Sequence, residues 1–423
     1  MAAARKPILI SGAGLASLLL ARSLVRSAIP FVVFERDASI SFRAQGYRLR
    51  LSAEGLDAIE EVLGPSPNGF PRFWDRCGKT GGAKGFAGID AITGEEMSPD
   101  APRVNDNKNN NNGPPRDAGG VGGKPPNKEI LTSREGKTVG ISRGDMRALF
   151  LEGCEEHVQW GHQVTGYELT PHGVQAVFKD GSKSVEGEML VGGEGIYSQV
   201  AKQVSRGKLK TFDTGARGIH GQAPTTAFRA LGEGVWRMVD DSKAGGRVFV
   251  ITNVRPGDMD DPEIQFGWTM GGQPGVIKPP NDDFAIIGKP AADIAKELSK
   301  NWAPKIRPLF EQMDEENAAF WKITCSTPSG VPEWENEPRV TVIGDAVHSM
   351  TPAGGIGANT AVRDSALLGR LLAKSQGWAD GVTAEYEREM RVYASAAVKT
   401  SYGMATGQFG IEIDEENGPT VGG

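Results

Sequence analysis

Two glycine-rich stretches near opposite ends of the chain have residue types and spacing that could do chemistry. The first reads Gly12-Ala13-Gly14-Leu15-Ala16-Ser17, close to a GxGxxG pattern with Ser17 in the third glycine's place. Gly12 permits a tight turn, Gly14 lets backbone approach a pyrophosphate, and the amides opening the next helix point at its charge. Glu35, at the end of the following strand, suits bidentate contact with a ribose diol. The second stretch runs Val342-Ile343-Gly344-Asp345-Ala346-Val347-His348-Ser349-Met350-Thr351-Pro352-Ala353-Gly354-Gly355-Ile356-Gly357-Ala358-Asn359, with Asp364 beyond it. A strand ends at Gly344, an acid sits at its carboxyl end, and a Gly-rich loop opens a helix at about Gly357. Such a helix start offers unpaired amides and partial positive charge to an electron-rich atom.

Together the two stretches resemble the class A flavoprotein monooxygenases, the para-hydroxybenzoate hydroxylase family. Gly344, Asp345, Ala346, His348, Pro352, Gly355, Gly357 and Asn359 match that family's second signature, GDAAHxxxPxxGxGxN. The resemblance implies that Gly12, Gly14, Ser17 and Glu35 hold the ADP half of FAD and that Asp345 bonds the ribityl hydroxyls. It also implies that Pro352 and the loop to Gly357 lie along the flavin, with amides stabilising negative charge at its pyrimidine edge. His348 is expected to brace the loop. Arg143, in Ile141-Ser142-Arg143-Gly144-Asp145-Met146-Arg147, and Arg43, in Phe42-Arg43-Ala44-Gln45-Gly46-Tyr47, are similar to FAD-contacting arginines of the family. Arg36, next to Glu35, completes the expected contacts, while Arg147 reads as a helix-end charge.

A third family signature, DGxxSxxR, is altered to Glu194-Gly195-Ile196-Tyr197-Ser198-Gln199-Val200-Ala201, with Lys202 one place beyond the missing Arg. The family links this element to both FAD and the pyridine nucleotide, so the departure counts against ordinary NADPH use. What the resemblance implies overall is an oxidoreductase that uses NAD(P)H and dioxygen to hydroxylate or epoxidise a hydrophobic aromatic or polycyclic metabolite through a C4a-hydroperoxyflavin. A same-fold FAD dehydrogenase, reductase or non-redox cyclase, or an FAD-retaining binding protein, stays open as the alternative.

The elements that must position these residues can be read along the chain. Strand Pro7 to Ser11, helix Leu15 to Ser27 and strand Phe31 to Glu35 form a βαβ unit, whose crossover implies a parallel sheet. A strand from Thr138 to Ser142 leads to a helix from Asp145 to His157, then to strands Val164 to Leu169, Val174 to Phe178 and Met189 to Gly192. The texture changes over Phe212 to Pro332, where alternating stretches such as Arg247 to Thr252 and Gln265 to Met270 imply a mostly antiparallel sheet interrupted by a helix from Ala292 to Trp302. Strand Arg339 to Ile343, helix Asn359 to Lys374 and an amphipathic helix from Ala384 to Gly403 close the chain. The fold class is therefore α/β: a discontinuous Rossmann-like FAD-binding domain over 1–76, 137–211 and 336–423, and a β-sheet substrate domain over 77–136 and 212–335. Phe228, Arg229, Trp236, Phe249, Trp268 and Met270 are the substrate-lining candidates from that sheet.

Composition narrows the rest. Across 423 residues, 47 Lys and Arg stand against 53 Asp and Glu, and this balance of −6 argues against nucleic acid or anionic membrane as the main partner. Cys77, Cys154 and Cys325 match no zinc or disulfide framework, so no metal and a reducing, cytoplasmic setting are expected. No apolar run is long enough for a membrane span, and no protein partner is evident. The stretch 104–128, with Asn109 to Asn112 in a row, is expected to be a disordered insertion. Such loops are common in fungal proteins, an association that would suit secondary metabolism.

Overall fold

In the computed structural model, residues 5–40, 48–81, 87–97, 133–279 and 286–422 are described. Arg43 and the expected insertion 104–128 lie outside them. The first strand, Ile8–Ser11, is buried along its whole length and is the centre of a five-stranded parallel sheet. Phe31–Glu35 and Val158–Trp160 lie to one side of it, Met189–Gly192 and Val340–Val342 to the other. The chain leaves Ile8–Ser11 toward one side and later fills the other, so the strand order reverses there. In open parallel sheets a crevice forms at such a reversal, just past the carboxyl ends of the strands.

Both glycine-rich turns empty into that crevice, because the helices that follow them pack on one another. Helix Leu15–Arg26 and helix Gly357–Lys374 meet where Ser365 Oγ donates to Ala16 O at 2.7 Å. Farther along, a Cβ on Gly369 would run into Ser23, so the axes approach closely there. Helix Gly357–Lys374 buries twelve of its 18 residues, more than one amphipathic stripe, which is what a helix enclosed on several sides requires.

The second sheet has six strands in the order Ala319–Ser326, Thr211–Pro224, Gln265–Gly272, Val248–Val254, Gly234–Asp240, Ala87–Asp90, antiparallel except for the last pair. Ile219, Met238, Val250, Phe266, Trp268 and Met270 point to one face and form a core with Trp302 and Phe310. The opposite face is partly covered: Val239 and Phe249 are buried with Phe409 and Ile411, while His220, Ile251, Thr269 and Trp321 on it are half-buried. A three-stranded antiparallel sheet, in the order Arg48–Leu51, Lys137–Ser142, Gly78–Gly81, is inserted between strands Phe31–Glu35 and Val158–Trp160 of the parallel sheet. Among the described residues no helix is long and apolar enough to cross a membrane.

Several expected boundaries move. The helix placed at Asp145 to His157 is Arg143–Leu151 followed by a short 3-10 turn, because Ser142 caps it by accepting from Asp145 N at 3.0 Å and Gly153 adopts a φ of +76°. The helix expected from Ala292 begins at Lys289, with Pro290 in its first turn. The last helix is longer than Ala384 to Gly403: it runs Val382–Phe409, 28 residues, and stops at Gly410 in the left-handed region. Helices Ala53–Leu63 and Phe70–Arg76 and the three-stranded sheet were not anticipated.

Candidate functional site

The first turn is built from constraints that only small residues meet. Gly12 has a φ of +87°, and a Cβ there would lie 2.6 Å from Gly193 O and 2.9 Å from Glu194 Cα. At Gly14 the nearest atom to a Cβ would be Gly193 O at 3.8 Å, so the backbone there borders open space. Ser17 is wholly buried against Gly193, whose own missing side chain makes room for the Ser17 hydroxyl. It is thus a packing position between helix and strand rather than one facing the crevice.

The turn is braced from two directions. Glu35 Oε2 accepts from Ala13 N at 2.6 Å and its Oε1 from Asp37 N at 2.9 Å. Arg147, expected as a helix-end charge, is 3% exposed; its Nε donates to Ala13 O at 2.8 Å, and its Nη2 lies 3.7 Å from Glu35 Oε2. Arg36 is exposed, 3.9 Å from Asp37. Beside the turn, Glu194 Oε1 accepts from Val200 N at 3.0 Å, and burial raises its carboxyl above the usual carboxylate value.

The second loop has its own internal frame. Asp364, fully buried, accepts from Gly344 N and pairs with His348 Nε2, each at 2.7 Å, while Tyr393 OH donates to its other oxygen at 2.7 Å. Burial opposes a proton on His348, but the Asp364 carboxylate outweighs it and raises the imidazole above its ordinary value. His348 therefore braces the loop, as its place in the sequence implied. Asp345 is surrounded closely enough that burial raises its carboxyl, against the pull of His348 and Arg143, yet its side chain is exposed to solvent. A carboxylate both crowded and wet lines a cleft.

Beyond Asp345 the loop passes Pro352 and turns at Gly354 and Gly355, with φ of +78° and +62°. Where a Cβ would sit, Gly355 has no neighbour closer than 3.9 Å and Gly357 none closer than 4.0 Å. Asn359 does not face this opening. Its Oδ1 accepts from Ser52 N at 2.8 Å, and its Nδ2 donates to Arg50 O and Gly355 O, both at 2.9 Å, so it pins the loop to the small sheet. Arg50 adds a bond from Nη2 to Gly354 O at 3.0 Å. The period-two pattern Arg48-Leu49-Arg50-Leu51 was the available signal for that strand, and reading it would have brought Arg50 into view.

The partly covered face of the second sheet supplies the far wall. Cross-strand register aligns Trp321, Gly218, Gly271, Phe249 and Val239 in one row, and Ala319, His220, Thr269, Ile251 and Arg237 in the next. His220 Nδ1 lies 3.0 Å from Thr269 Oγ1, and its ring stacks on Trp321 at 4.7 Å with planes 4° apart. Burial and the charge of Arg143 push His220 down to about 3. Arg143 is thus within electrostatic reach of both Asp345 and His220, which ties the helix start, the second loop and the sheet to one cleft.

Of the substrate-lining candidates, only Phe249 is on this face, against Phe409 at 5.0 Å and in one apolar cluster with Ala353 of the loop. Phe228, Trp268 and Met270 lie in the core on the other side, and Trp236 packs against that core. The reason is the two-residue period of a strand: Trp268 and Met270 share one face, and Thr269 between them takes the other. Arg229 is a surface residue paired with Asp260 at 3.2 Å. His220, Trp321 and Asn253 were missed because nothing in a single strand says which face will be covered.

The FAD binding domain family matches residues 148–401, more than half of the chain. A dual O-methyltransferase/FAD-dependent monooxygenase of Phaeosphaeria nodorum is 30% identical over 409 residues, covering 87% of this chain and 40% of that protein. A second protein of that description, from Cercospora beticola, is 28% identical over 421 residues, 92% of this chain and 44% of its own length. The chain thus spans less than half the length of these relatives. An FAD-dependent monooxygenase of Trichoderma harzianum, 24% identical over 388 residues, is matched over 82% of its length and 86% of this chain. Among solved structures, Klebsiella pneumoniae HpxO complexed with FAD and uric acid superposes with a TM-score of 0.67 at 21% identity, over 95% of this chain and 88% of that one. The 2,6-dihydroxypyridine-3-hydroxylase from Arthrobacter nicotinovorans gives 0.68 at 15%, over 98% and 95%. At such identities the structural likeness is one of fold.

Proposed function

The chain belongs to the FAD binding domain family, and from that premise we propose that it is an FAD-dependent monooxygenase acting on a hydrophobic aromatic or polycyclic metabolite. The observation that carries the reading is the meeting of two glycine-rich loops at the reversal of the parallel sheet, with open backbone at Gly14, Gly355 and Gly357. Their Cβ positions border space that a cofactor's pyrophosphate and flat ring would fill, so the residues fit FAD. When bound, FAD supplies the electron transfer from NAD(P)H and the activation of dioxygen.

The chain's own residues then have distinct tasks. The start of helix Leu15–Arg26 offers amides to the pyrophosphate, and Glu35, already fixed by Ala13 and Asp37, keeps lone pairs for a ribose diol. Arg36 is near enough in sequence to meet the same half of the cofactor, as Arg43 is proposed to. Asp345 accepts from ribityl hydroxyls in the cleft, and Arg143 balances its charge. Pro352 to Gly357 and the start of helix Gly357–Lys374 direct amides and the positive end of the helix dipole at the flavin's electron-rich edge. The cluster of Phe249, Ala353 and Phe409 excludes water on that side.

The visible spectrum of the purified protein, before and after anaerobic NADPH, tests the reading. An oxidised-flavin spectrum that bleaches, and oxygen uptake coupled to product once a substrate is supplied, are expected; a protein that cannot be reconstituted with FAD refutes it. Asp345→Ala, which removes charged hydrogen bonds worth about 2 kcal/mol each, should lose most of its flavin on a desalting column. A second reading, an FAD enzyme that does not use NADPH in the ordinary way, is favoured by Glu194 in place of the family's Asp, with its Oε1 turned back to accept from the Val200 amide. Flavin that stays oxidised under NADPH with substrate present would select it.

A further inference from the structure

Two arginines from different sheets meet at the side of the cleft. Arg48 lies on the same face of its strand as Arg50, which bonds Gly354 O of the second loop, so its side chain runs over the cleft side of the small sheet. There two glycines in register, Gly140 and Gly78, leave the surface flat, and Arg48 Nη2 donates to Gly140 O at 2.8 Å. Arg255, one residue past strand Val248–Val254, comes in from the second sheet. A Cβ on Gly78 would lie against Arg48 Nη2 and 3.3 Å from Arg255 Nε, so both guanidinium groups border that one position. Arg255 is 5% exposed: its Nε donates to Asp258, the Phe266 ring lies 4.7 Å from its guanidinium, and its Nη1 is buried with no hydrogen-bond partner.

The charges at this junction do not balance among the described residues. Burial, and then the charge of Arg255, pull the Arg48 guanidinium down to about 10. Of the acids that face it, Asp258 already accepts from Arg255, and Asp145 is paired with Arg76 at 2.9 Å. The Cys77 thiol, pushed up to about 12 by burial, adds no negative charge. One positive charge is therefore left over beside an unused N–H, and a buried cation so placed is costly until an anion meets it. We propose that Arg48 and Arg255 together bind one oxyanion, a carboxylate or a phosphate, carried by a molecule that enters the cleft. A guanidinium offers parallel N–H groups that suit either one. The inference rests on the monooxygenase reading only for what enters: an acidic organic substrate, or the reductant with its phosphates.

Calorimetric titration of the flavin-loaded protein with 1-naphthoate, with neutral 1-naphthol and with NADP+ tests this. At least one of the two anions should bind the parent, and Arg255→Gln and Arg48→Gln should each weaken that anion about tenfold while leaving 1-naphthol unchanged. A loss for 1-naphthoate assigns the oxyanion to the substrate, and a loss for NADP+ assigns it to the reductant. Gly78→Ala, which keeps both charges and fills the space between them, should give the same loss and serves if Arg255→Gln does not fold. Flavin absorbance of each variant should equal that of the parent. A protein that never holds FAD fails at that reading, and the monooxygenase reading fails with it. A parent that holds FAD but binds neither anion, or variants that keep full affinity for both or weaken 1-naphthol equally, overturn the inference alone.

Discussion

Gly12 and Gly14 are two residues apart and do unlike things. At Gly12 both the positive φ and the carbonyl of Gly193 forbid a side chain, so Gly12→Ala should destabilise the fold by about 2 kcal/mol or more, read as a lower urea midpoint. At Gly14 the backbone is extended and the space beyond it open, so Gly14→Val should unfold close to the parent's midpoint once FAD is stripped, yet fail to rebind the cofactor. Equal flavin binding by Gly14→Val would remove this turn from the cofactor site. His220 makes a pH prediction. Its folded value near 3 lies below its ordinary 6.5, so protons bind the unfolded chain first. The contribution is fully present above pH 6.5 and is lost as pH falls toward 3, with a slope of at most about 1.4 kcal/mol per pH unit. His220→Gln should flatten the fall in stability between about pH 6 and pH 4 relative to the parent.

Among elements, the second glycine-rich loop depends on its neighbours more than on itself. Three of its backbone turns are held from outside: Gly344 by Asp364, Thr351 by Ser401 through hydroxyls 2.8 Å apart, and Gly355 by Asn359. Asn359 also caps the strand-to-helix junction at Ser52. Asn359→Ala removes three hydrogen bonds and leaves the Ser52 amide without its acceptor, so a loss of about 2–4 kcal/mol in urea unfolding is expected, with weaker flavin retention. A variant of unchanged stability would mean that the loop holds its shape alone. The first turn shows the same dependence, since Ala13 is gripped at its amide by Glu35 and at its carbonyl by Arg147.

At the scale of the whole molecule, the last helix joins the two large sheets. Near its start Tyr386 OH donates to Val342 O at 3.1 Å on the parallel sheet; at its end Phe409 shares one buried cluster with Phe249 of the second sheet and Ala353 of the loop. Its 28 residues span about 42 Å, enough to cross from one to the other. Phe409→Ala should open a cavity costing about 3–5 kcal/mol and, because it sits against the loop, should speed flavin loss as well. Loss of stability with unchanged flavin release would show that the end of the helix does not support the cofactor side.

The parallel sheet and its two glycine-rich loops were legible in the sequence because local rules decide them. A buried strand, a glycine turn that must have positive φ and a helix start that leaves amides free each depend on neighbours within a few residues, as at Gly12, Gly344 and Gly357. The strand Met189–Gly192 was equally plain from its unbroken apolar run. What the second sheet presents to the cleft was not legible. Alternation divides Trp268 and Met270 from Thr269, but which set is buried depends on helix Lys289–Ser299, the turn after it that carries Trp302, and Phe310 settling on one face. Aromatic type then misleads, since the largest side chains go to whichever face is closed. Arg147 and Asn359 were misread for a related reason: a charged or amide side chain looks like a ligand contact or a surface group until packing, more than a hundred residues away in sequence, gives it a partner.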